Sequence, residues 1–321
     1  MNPRLRYGIP AVALVVIAVG AVLVAARTSP SRVGVHPTDP EALPVGKPAG
    51  PLEGATGWIN SPALGPSDLA GKVVLYDFWT YSCVNCVRTL PYLRAWHDRY
   101  AANGLVIVGV HSPEFGFEHV RANVEAASRR LGVTWPVALD NQKTIWDTFR
   151  NAYWPTKYLA DRDGHIRYKH IGEGGYQETE DVLRTLLAVD PASSRARPGA
   201  EGQEGDGSVG IRDTITPETY LGTEKGTAGA RPGLMTYPEP GALETGQCRL
   251  AGWWGAEEEK VTAAAPGAVI VLAYRAREVN LVMTPPKGGA VDVQVDLDGH
   301  PLPPGFRTEH TIVDESGATF V

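Results

Sequence analysis

Residues 73–86 read VVLYDFWTYSCVNC and join an apolar run to a pair of cysteines. The first seven residues form a short, continuous apolar run, which is typical of a buried strand. After Cys86, apolar residues recur at spacings of three and four from Leu90 and Leu93 onward, which predicts a helix with one buried face. The stretch therefore predicts a strand, a turn and a helix, with Cys83 at the start of the helix and Cys86 one turn further in.

The spacing and position of the two cysteines favour redox chemistry. Unpaired N–H groups and the helix dipole at a helix N-terminus stabilise a thiolate, here that of Cys83. Cys86 is then placed to attack a mixed disulfide formed by Cys83. Zinc sites use the same spacing, but zinc takes four ligands, and the third cysteine of the chain, Cys248, lies far along the sequence in a different region. We therefore expect a redox-active disulfide and no bound cofactor or metal.

Asp77 lies inside the apolar run, where an unpaired charge is costly. Burial would raise the pKa of this carboxyl and allow it to exchange a proton with Cys86. The alternative is a structural carboxylate at the strand end that accepts hydrogen bonds from the backbone.

The residues after the dithiol add a proline inside the helix, Pro91, and a Trp-Pro-Thr motif at residues 154–156.

These features together resemble the thioredoxin superfamily. Asp77 precedes Cys83 by six residues, Pro91 matches the helix-kinking proline, and residues 154–156 are similar to the loop that carries a cis-proline. More narrowly, the chain resembles the TlpA-like membrane-anchored thioredoxins, and within them the periplasmic part of actinobacterial DipZ-type proteins. The resemblance implies a thiol–disulfide oxidoreductase, possessing a thioredoxin fold with a TlpA-type insertion.

The resemblance also implies roles for single residues. Cys83 forms the mixed disulfide, Cys86 resolves it, Asp77 handles the proton, and Pro155 with its neighbours presents a backbone edge to the substrate. Trp79, by its position in the motif, is expected on the surface beside the dithiol. Glu114, just after the apolar run LVIVGV, is expected to face the dithiol, and the alternative is a solvated loop carboxylate. The residues expected to support the dithiol are thus Trp79, Glu114, Trp154, Pro155 and Thr156.

Two structured regions are predicted. Alternating strand and helix patterns across residues 53–188 indicate an α/β domain around a mixed sheet. Residues 189–211 read as a linker, being rich in small and polar residues. Residues 212–321 hold β-rich runs between Pro and Gly turns, and resemble the jelly-roll-like, carbohydrate-binding-like sandwich of DipZ-type proteins with its last strands missing. The adjacent Trp253 and Trp254 are expected to divide between surface and core.

The N-terminal region, residues 1–32, predicts the compartment. Residues 8–26 contain no charge, and about 20 apolar residues suffice to cross a bilayer. We expect a single-pass anchor with the globular part outside the cytoplasm, followed by a Pro- and Gly-rich tether at residues 33–52. The alternative is a signal peptide cleaved near Ala26, which would release a secreted protein.

The composition of the chain argues against one class of partner, nucleic acid. With 30 Lys and Arg against 36 Asp and Glu, the chain lacks the basic footprint of nucleic-acid binding. The resemblance implies protein dithiol or disulfide substrates, including cytochrome c maturation partners, and a separate DsbD/CcdA-like membrane electron donor. A carbohydrate ligand at the β-rich region is a further candidate.

Two other functions compete with this prediction. One is a peroxiredoxin-like antioxidant peroxidase. That class requires a proline four residues before a Thr-x-x-Cys motif, and here Thr80 and Cys83 supply the motif but Tyr76 stands at the proline position. The other is a cell-wall carbohydrate-binding protein in which the dithiol is vestigial.

Overall fold

The structure is a computed structural model that describes residues 43–190, 192–198, 216–276, 279–283, 293–306, 312–313 and 319–320. The predicted membrane segment at residues 8–26 lies outside the described residues, as does most of the predicted linker. Within the described ranges, no helix is long and apolar enough to cross a membrane. We refer to residues 43–198 as the α/β domain and to residues 216–320 as the β module.

The α/β domain is built around one six-stranded mixed sheet. In chain order its strands are β1 (Gly57–Ile59), β2 (Val73–Trp79), β3 (Leu105–His111), β4 (Val137–Leu139), β5 (Thr156–Ala160) and β6 (Ile166–Ile171). Its helices are α1 (Pro66–Leu69), α2 (Val84–Tyr100), α3 (Arg121–Arg130), α4 (Thr144–Thr148) and α5 (Tyr176–Leu187), with single 3-10 turns at Ala101–Asn103 and Gly116–His119.

The strand order is β1-β4-β3-β2-β5-β6. The inner strands β2, β3 and β4 are parallel, whereas β1 pairs antiparallel with β4, and β5 pairs antiparallel with both β2 and β6. Strand β2 lies inside the sheet, and all seven of its residues are buried. The sequence therefore predicted both the mixed sheet and the burial of this strand.

Side chains of β2 alternate between two hydrophobic clusters, one on each face of the sheet. Val73, Leu75 and Trp79 pack with Cys86 and helix α2, while Val74, Tyr76 and Phe78 pack on the opposite face. By the same alternation, Asp77 lies on the face that α2 covers. Strand parity thus places this carboxyl on the same side of the sheet as the dithiol.

The domain is longer at its N-terminal end than the sequence predicts. The N–H groups of Gly46 and Ala49 donate to Ile166 and Gly164, each over 2.7 Å, and Leu43 and Leu52 are buried in the core. Residues 43–52 are therefore part of the α/β domain and not a free tether. Their Pro and Gly content, which favoured a tether, is also compatible with an ordered strap over a strand.

The β module contains antiparallel strands, as the sequence predicts. Cys248, Leu250 and Trp254 form its buried core, and Trp254 is 5% exposed against 49% for Trp253, so the two tryptophans divide as expected. Its strands are β7 (Gly233–Tyr237), β8 (Cys248–Ala256), β9 (Val261–Ala263), β10 (Val269–Leu272), β11 (Asp296–Leu297), β12 (His300–Pro301), β13 (Ile312–Val313) and β14 (Thr319–Phe320). β8 pairs with β7, β9 and β10, and the last four strands form two separate pairs.

Candidate active site

The two cysteines of the motif occupy the first turn of α2. Cys83 is the N-cap residue, and its Sγ accepts a hydrogen bond from the Cys86 N–H over 3.3 Å. Cys83 is half-buried, whereas Cys86 is completely buried, and both are free thiols in this structure. Because only Cys83 is accessible, it is the sulfur that can meet a substrate first.

The environment of Cys86 holds its thiol in the protonated form. Burial raises the pKa of Cys86 well above its ordinary value, and the hydrogen bond and charge of Cys83 raise it further. A negative charge on Asp77 acts in the same direction, and the Thr80 backbone opposes it. Cys86 therefore needs a base before it can attack a disulfide.

Asp77 and Lys157 are neighbours on the adjacent strands β2 and β5. They are paired residues of β2 and β5, each is 1% exposed, and the Lys157 Nζ lies 4.0 Å from the Asp77 Oδ1. These two atoms have no hydrogen-bond partner among the described residues. A buried carboxylate and a buried ammonium thus lie close enough for strong attraction but not in direct hydrogen-bond contact.

Burial dominates the titration of this pair. It raises the pKa of Asp77 from 3.8 to about 6, even though the charge of Lys157 acts to lower it. Burial also lowers the pKa of Lys157, which the charges of Asp77 and Cys86 oppose. A carboxyl that titrates about one unit below neutral pH can both take up and release a proton under ordinary conditions, which is what a proton relay to Cys86 needs.

The Trp-Pro-Thr motif forms the loop that leads into β5. The peptide bond between Trp154 and Pro155 is cis, as the sequence predicts. The Trp154 Nε1 donates to the Ser112 carbonyl over 3.0 Å, and the Thr156 Oγ1 donates to the Tyr153 carbonyl over 2.8 Å. The two flanking side chains therefore fix the backbone on either side of the proline.

Trp79 does not lie where the sequence predicts. Its side chain is 1% exposed and packs in the same cluster as Cys86, so the expected surface position is wrong. The reason is that β2 is covered on both faces to its last residue. The neighbouring His111 is also fully buried, and burial lowers its pKa to about 3, so it stays neutral beside the Thr80 hydroxyl, 3.3 Å from its Nε2.

Glu114 binds the β module. Its Oε1 accepts hydrogen bonds from the Tyr220 hydroxyl and the Lys225 Nζ, each over 2.9 Å. The expectation that its carboxylate faces the dithiol is therefore corrected. Glu114 follows the end of β3, as the sequence predicts. Its partners in the β module lie more than 100 residues further along the chain, so the local sequence does not reveal them.

Comparisons with known proteins now identify the fold family. Residues 46–169 match the AhpC/TSA family, and residues 216–317 match the family described as a thioredoxin-like C-terminal domain. Each of the two structured regions is therefore similar to its own family, and the match in the β module is to a domain found in thioredoxin-like proteins. The predicted thioredoxin fold of the α/β domain is thereby confirmed.

The chain is also similar to several individual proteins. Protein DipZ of Mycobacterium bovis is 38% identical over 277 residues, which make up 82% of this chain and 38% of DipZ. The thiol-disulfide oxidoreductase YkuV of Bacillus subtilis is 26% identical over 142 residues, 44% of this chain and 95% of YkuV. A thiol-disulfide isomerase structure from Corynebacterium glutamicum has 23% identity and a TM-score of 0.39, covering 46% of this chain and 97% of that one. The chain thus spans well under half the length of DipZ.

Two residues near the dithiol, Lys157 and Glu118, are not predicted from the sequence. Lys157 stands in a strand-like run, where a lysine normally indicates an exposed position. Glu118 is fully buried, and its carboxylate accepts hydrogen bonds from Ser82, the residue before Cys83, and from two backbone N–H groups. A glutamate three residues into a helical turn is a known capping signal and could have indicated the backbone bonds, though not the bond to Ser82.

Proposed function

We propose that this chain is a thiol–disulfide oxidoreductase that exchanges disulfides with other proteins outside the cytoplasm. One observation carries the proposal. The half-buried Cys83 caps a helix N-terminus, while the buried Cys86 shares its face of the sheet with a buried acid that titrates near neutral pH. This asymmetry gives the two sulfurs different tasks, which a metal site or a structural disulfide would not require.

The reaction runs in two exchange steps. The Cys83 thiolate attacks one sulfur of the substrate disulfide, forms a mixed disulfide, and releases the other substrate sulfur as a thiolate that takes a proton from water. The Cys86 thiol then gives its proton to the Asp77 carboxylate and attacks the Cys83 Sγ. The second substrate sulfur leaves as a thiolate that takes a proton from water. The chain is left with a Cys83–Cys86 disulfide and a protonated Asp77 after transfer of two electrons to the substrate.

Lys157 supports this step through charge. The charge of Lys157 lowers the pKa of Asp77 against the effect of burial, so without this cation a larger share of the carboxyl would be protonated and unable to act as a base. The 4.0 Å separation from the Lys157 Nζ keeps part of the carboxylate population ionised. The reverse reaction, oxidation of a substrate dithiol, uses the same groups in the opposite order.

Location and partners are part of the proposal. The uncharged segment at residues 8–26 supports a single-pass anchor with the domains outside the cytoplasm, and signal cleavage near Ala26 would instead give a secreted protein. Substrates are protein dithiols or disulfides, including cytochrome c maturation partners, and a separate DsbD/CcdA-like carrier would supply electrons. At the β module, the exposed Trp253 supports a carbohydrate contact.

A peroxidase is the second candidate, favoured by the match of residues 46–169 to the AhpC/TSA family. One experiment separates the two. The purified protein is given dithiothreitol with either insulin or hydrogen peroxide, and Cys83→Ser is the matched control. The proposal predicts insulin reduction that depends on Cys83 and only background peroxide consumption. Peroxide consumption without insulin reduction would replace it with the peroxidase function.

A further inference from the structure

The turn before Cys83 is bound to a loop that no catalytic step uses. The Glu118 carboxylate is 0% exposed, and one of its oxygens accepts a hydrogen bond from the Ser82 hydroxyl. The Tyr81 hydroxyl donates to the Phe117 carbonyl over 3.3 Å. Two consecutive side chains before the attacking sulfur are therefore held by the segment that follows β3.

Glu118 also determines the shape of that segment. Its second oxygen accepts hydrogen bonds from the N–H groups of Glu114, over 2.6 Å, and Phe115, over 3.0 Å. A fully buried carboxylate is stable only when donors replace water, and these three donors do so. The loop at residues 114–118 is thus folded around one carboxylate, which links it to Ser82.

The β module holds the opposite side of the same loop. The Glu114 carboxylate accepts hydrogen bonds from Tyr220 and Lys225, and the Gly116 N–H donates to the Glu259 Oε2 over 2.6 Å. The Tyr220 ring also lies 6.4 Å from the Phe115 ring, between centroids. These contacts come from two separate segments of the β module, so they fix the loop in more than one direction.

We propose that the β module positions the attacking sulfur through this loop, with Glu118 as the positioning residue that connects the loop to the turn before Cys83. The proposal rests on the assignment of Cys83 as the attacking sulfur. With the loop held, Cys83 stays at the helix N-terminus, where its Sγ accepts the Cys86 N–H. With the loop released, the turn can move, and the sulfur is no longer held in place against the Cys86 N–H.

The test measures Cys83 directly in the reduced full-length chain. The rate of carboxymethylation by iodoacetamide is followed at several pH values below 8, and the labelled peptide is identified by mass spectrometry. Tyr220→Phe with Lys225→Met removes both donors to Glu114 from the module side, and Ser82→Ala removes the link from the dithiol side. Each should slow labelling about two- to fivefold, the range expected for losing one interaction with a helix terminus.

Combining Ser82→Ala with the Tyr220/Lys225 substitutions tests whether the β module acts on Cys83 through the loop. Ser82 and Lys225 lie on opposite sides of it, so the combined variant should be no slower than the slower of the two parents. Effects that multiply would mean independent routes and would overturn the proposal. Lys72→Met is the control, since Lys72 is exposed and lies just before the N-terminal end of β2, whereas Cys83 follows the C-terminal end of that strand. It should leave the labelling rate unchanged.

Two further comparisons distinguish a failure of this proposal from misfolding of a variant and from a failure of the proposed function. Glu114→Gln keeps the shape of the acceptor while removing its charge, so it tests the same contact if the double substitution disturbs the β module. Unchanged labelling in both the Glu114 and the Tyr220/Lys225 variants would overturn the proposal. Because iodoacetamide labelling needs no disulfide substrate, failure of the parent chain to reduce insulin would count against the proposed function alone.

Discussion

Replacing Asp77 with asparagine should make the protein more stable at neutral pH while slowing its chemistry. Burial raises the pKa of Asp77 from 3.8 in the unfolded chain to about 6 in the fold, so folding disfavours the ionised carboxyl. One pKa unit corresponds to about 1.4 kcal/mol, so ionisation of Asp77 lowers the free energy of unfolding by about 3 kcal/mol once the pH exceeds the folded pKa.

The sign of the pH dependence follows from the raised pKa. The folded state binds the proton more tightly than the unfolded state. The contribution of the protonated Asp77 carboxyl to the free energy of unfolding is therefore complete below about pH 4. It is lost as the pH rises through about 6. The asparagine variant cannot ionise, so it should lack this decline and exceed the parent by about 3 kcal/mol at pH 7. The charge of Lys157 is already included in the raised pKa of Asp77.

Urea unfolding at about pH 4, 6 and 7.5, followed by tryptophan fluorescence, measures this effect. The two proteins should be similarly stable at the lowest pH and diverge as the pH rises, with the same dependence on urea concentration. In parallel, the asparagine variant should accumulate mixed disulfide with insulin, because Cys86 loses its base. A variant that is less stable than the parent at pH 7.5 would refute the reasoning and assign Asp77 a stabilising structural role.

Three further predictions concern the surroundings of the dithiol and the β module. Lys157→Met should raise the pKa of Asp77 above about 6 and move the pH profile of insulin reduction to higher pH; an unmoved profile would exclude a charge effect of the lysine. Trp254→Ala should destabilise the β module by about 3 to 5 kcal/mol, whereas the exposed Trp253→Ala should have little effect in the same melting experiment. Cys248 is buried in the β-module core and should resist alkylation until the chain is unfolded, so rapid labelling in the native state would contradict its described position.

The sequence was a good guide to features that depend on neighbouring residues. The apolar run, the cysteine spacing and the periodicity from Leu90 onward correctly predicted β2, the cap at Cys83 and the buried face of α2. The alternation of strands and helices predicted the mixed sheet. These features follow from backbone periodicity and burial, which a short window of sequence contains.

Features that depend on strand register or on distant contacts could not be predicted. Lys157 faces Asp77 because β5 pairs antiparallel with β2 at one particular register, which no local pattern specifies. The position of Trp79 in the motif predicts a surface side chain, but the cover over both faces of β2 depends on distant elements. The resemblance predicts that Glu114 faces the dithiol, but its partners, Tyr220 and Lys225, belong to another part of the chain.

In the proposed reaction, Cys83 attacks the substrate disulfide and Cys86 resolves the mixed disulfide. Intact-mass measurement of Cys86→Ser and Cys83→Ser after incubation with a disulfide-bonded protein tests these roles most directly. We expect a stable mixed disulfide on Cys83 in the Cys86→Ser variant and none in the Cys83→Ser variant, because Cys86 is buried and protonated. A mixed disulfide trapped on Cys86 instead would contradict these roles.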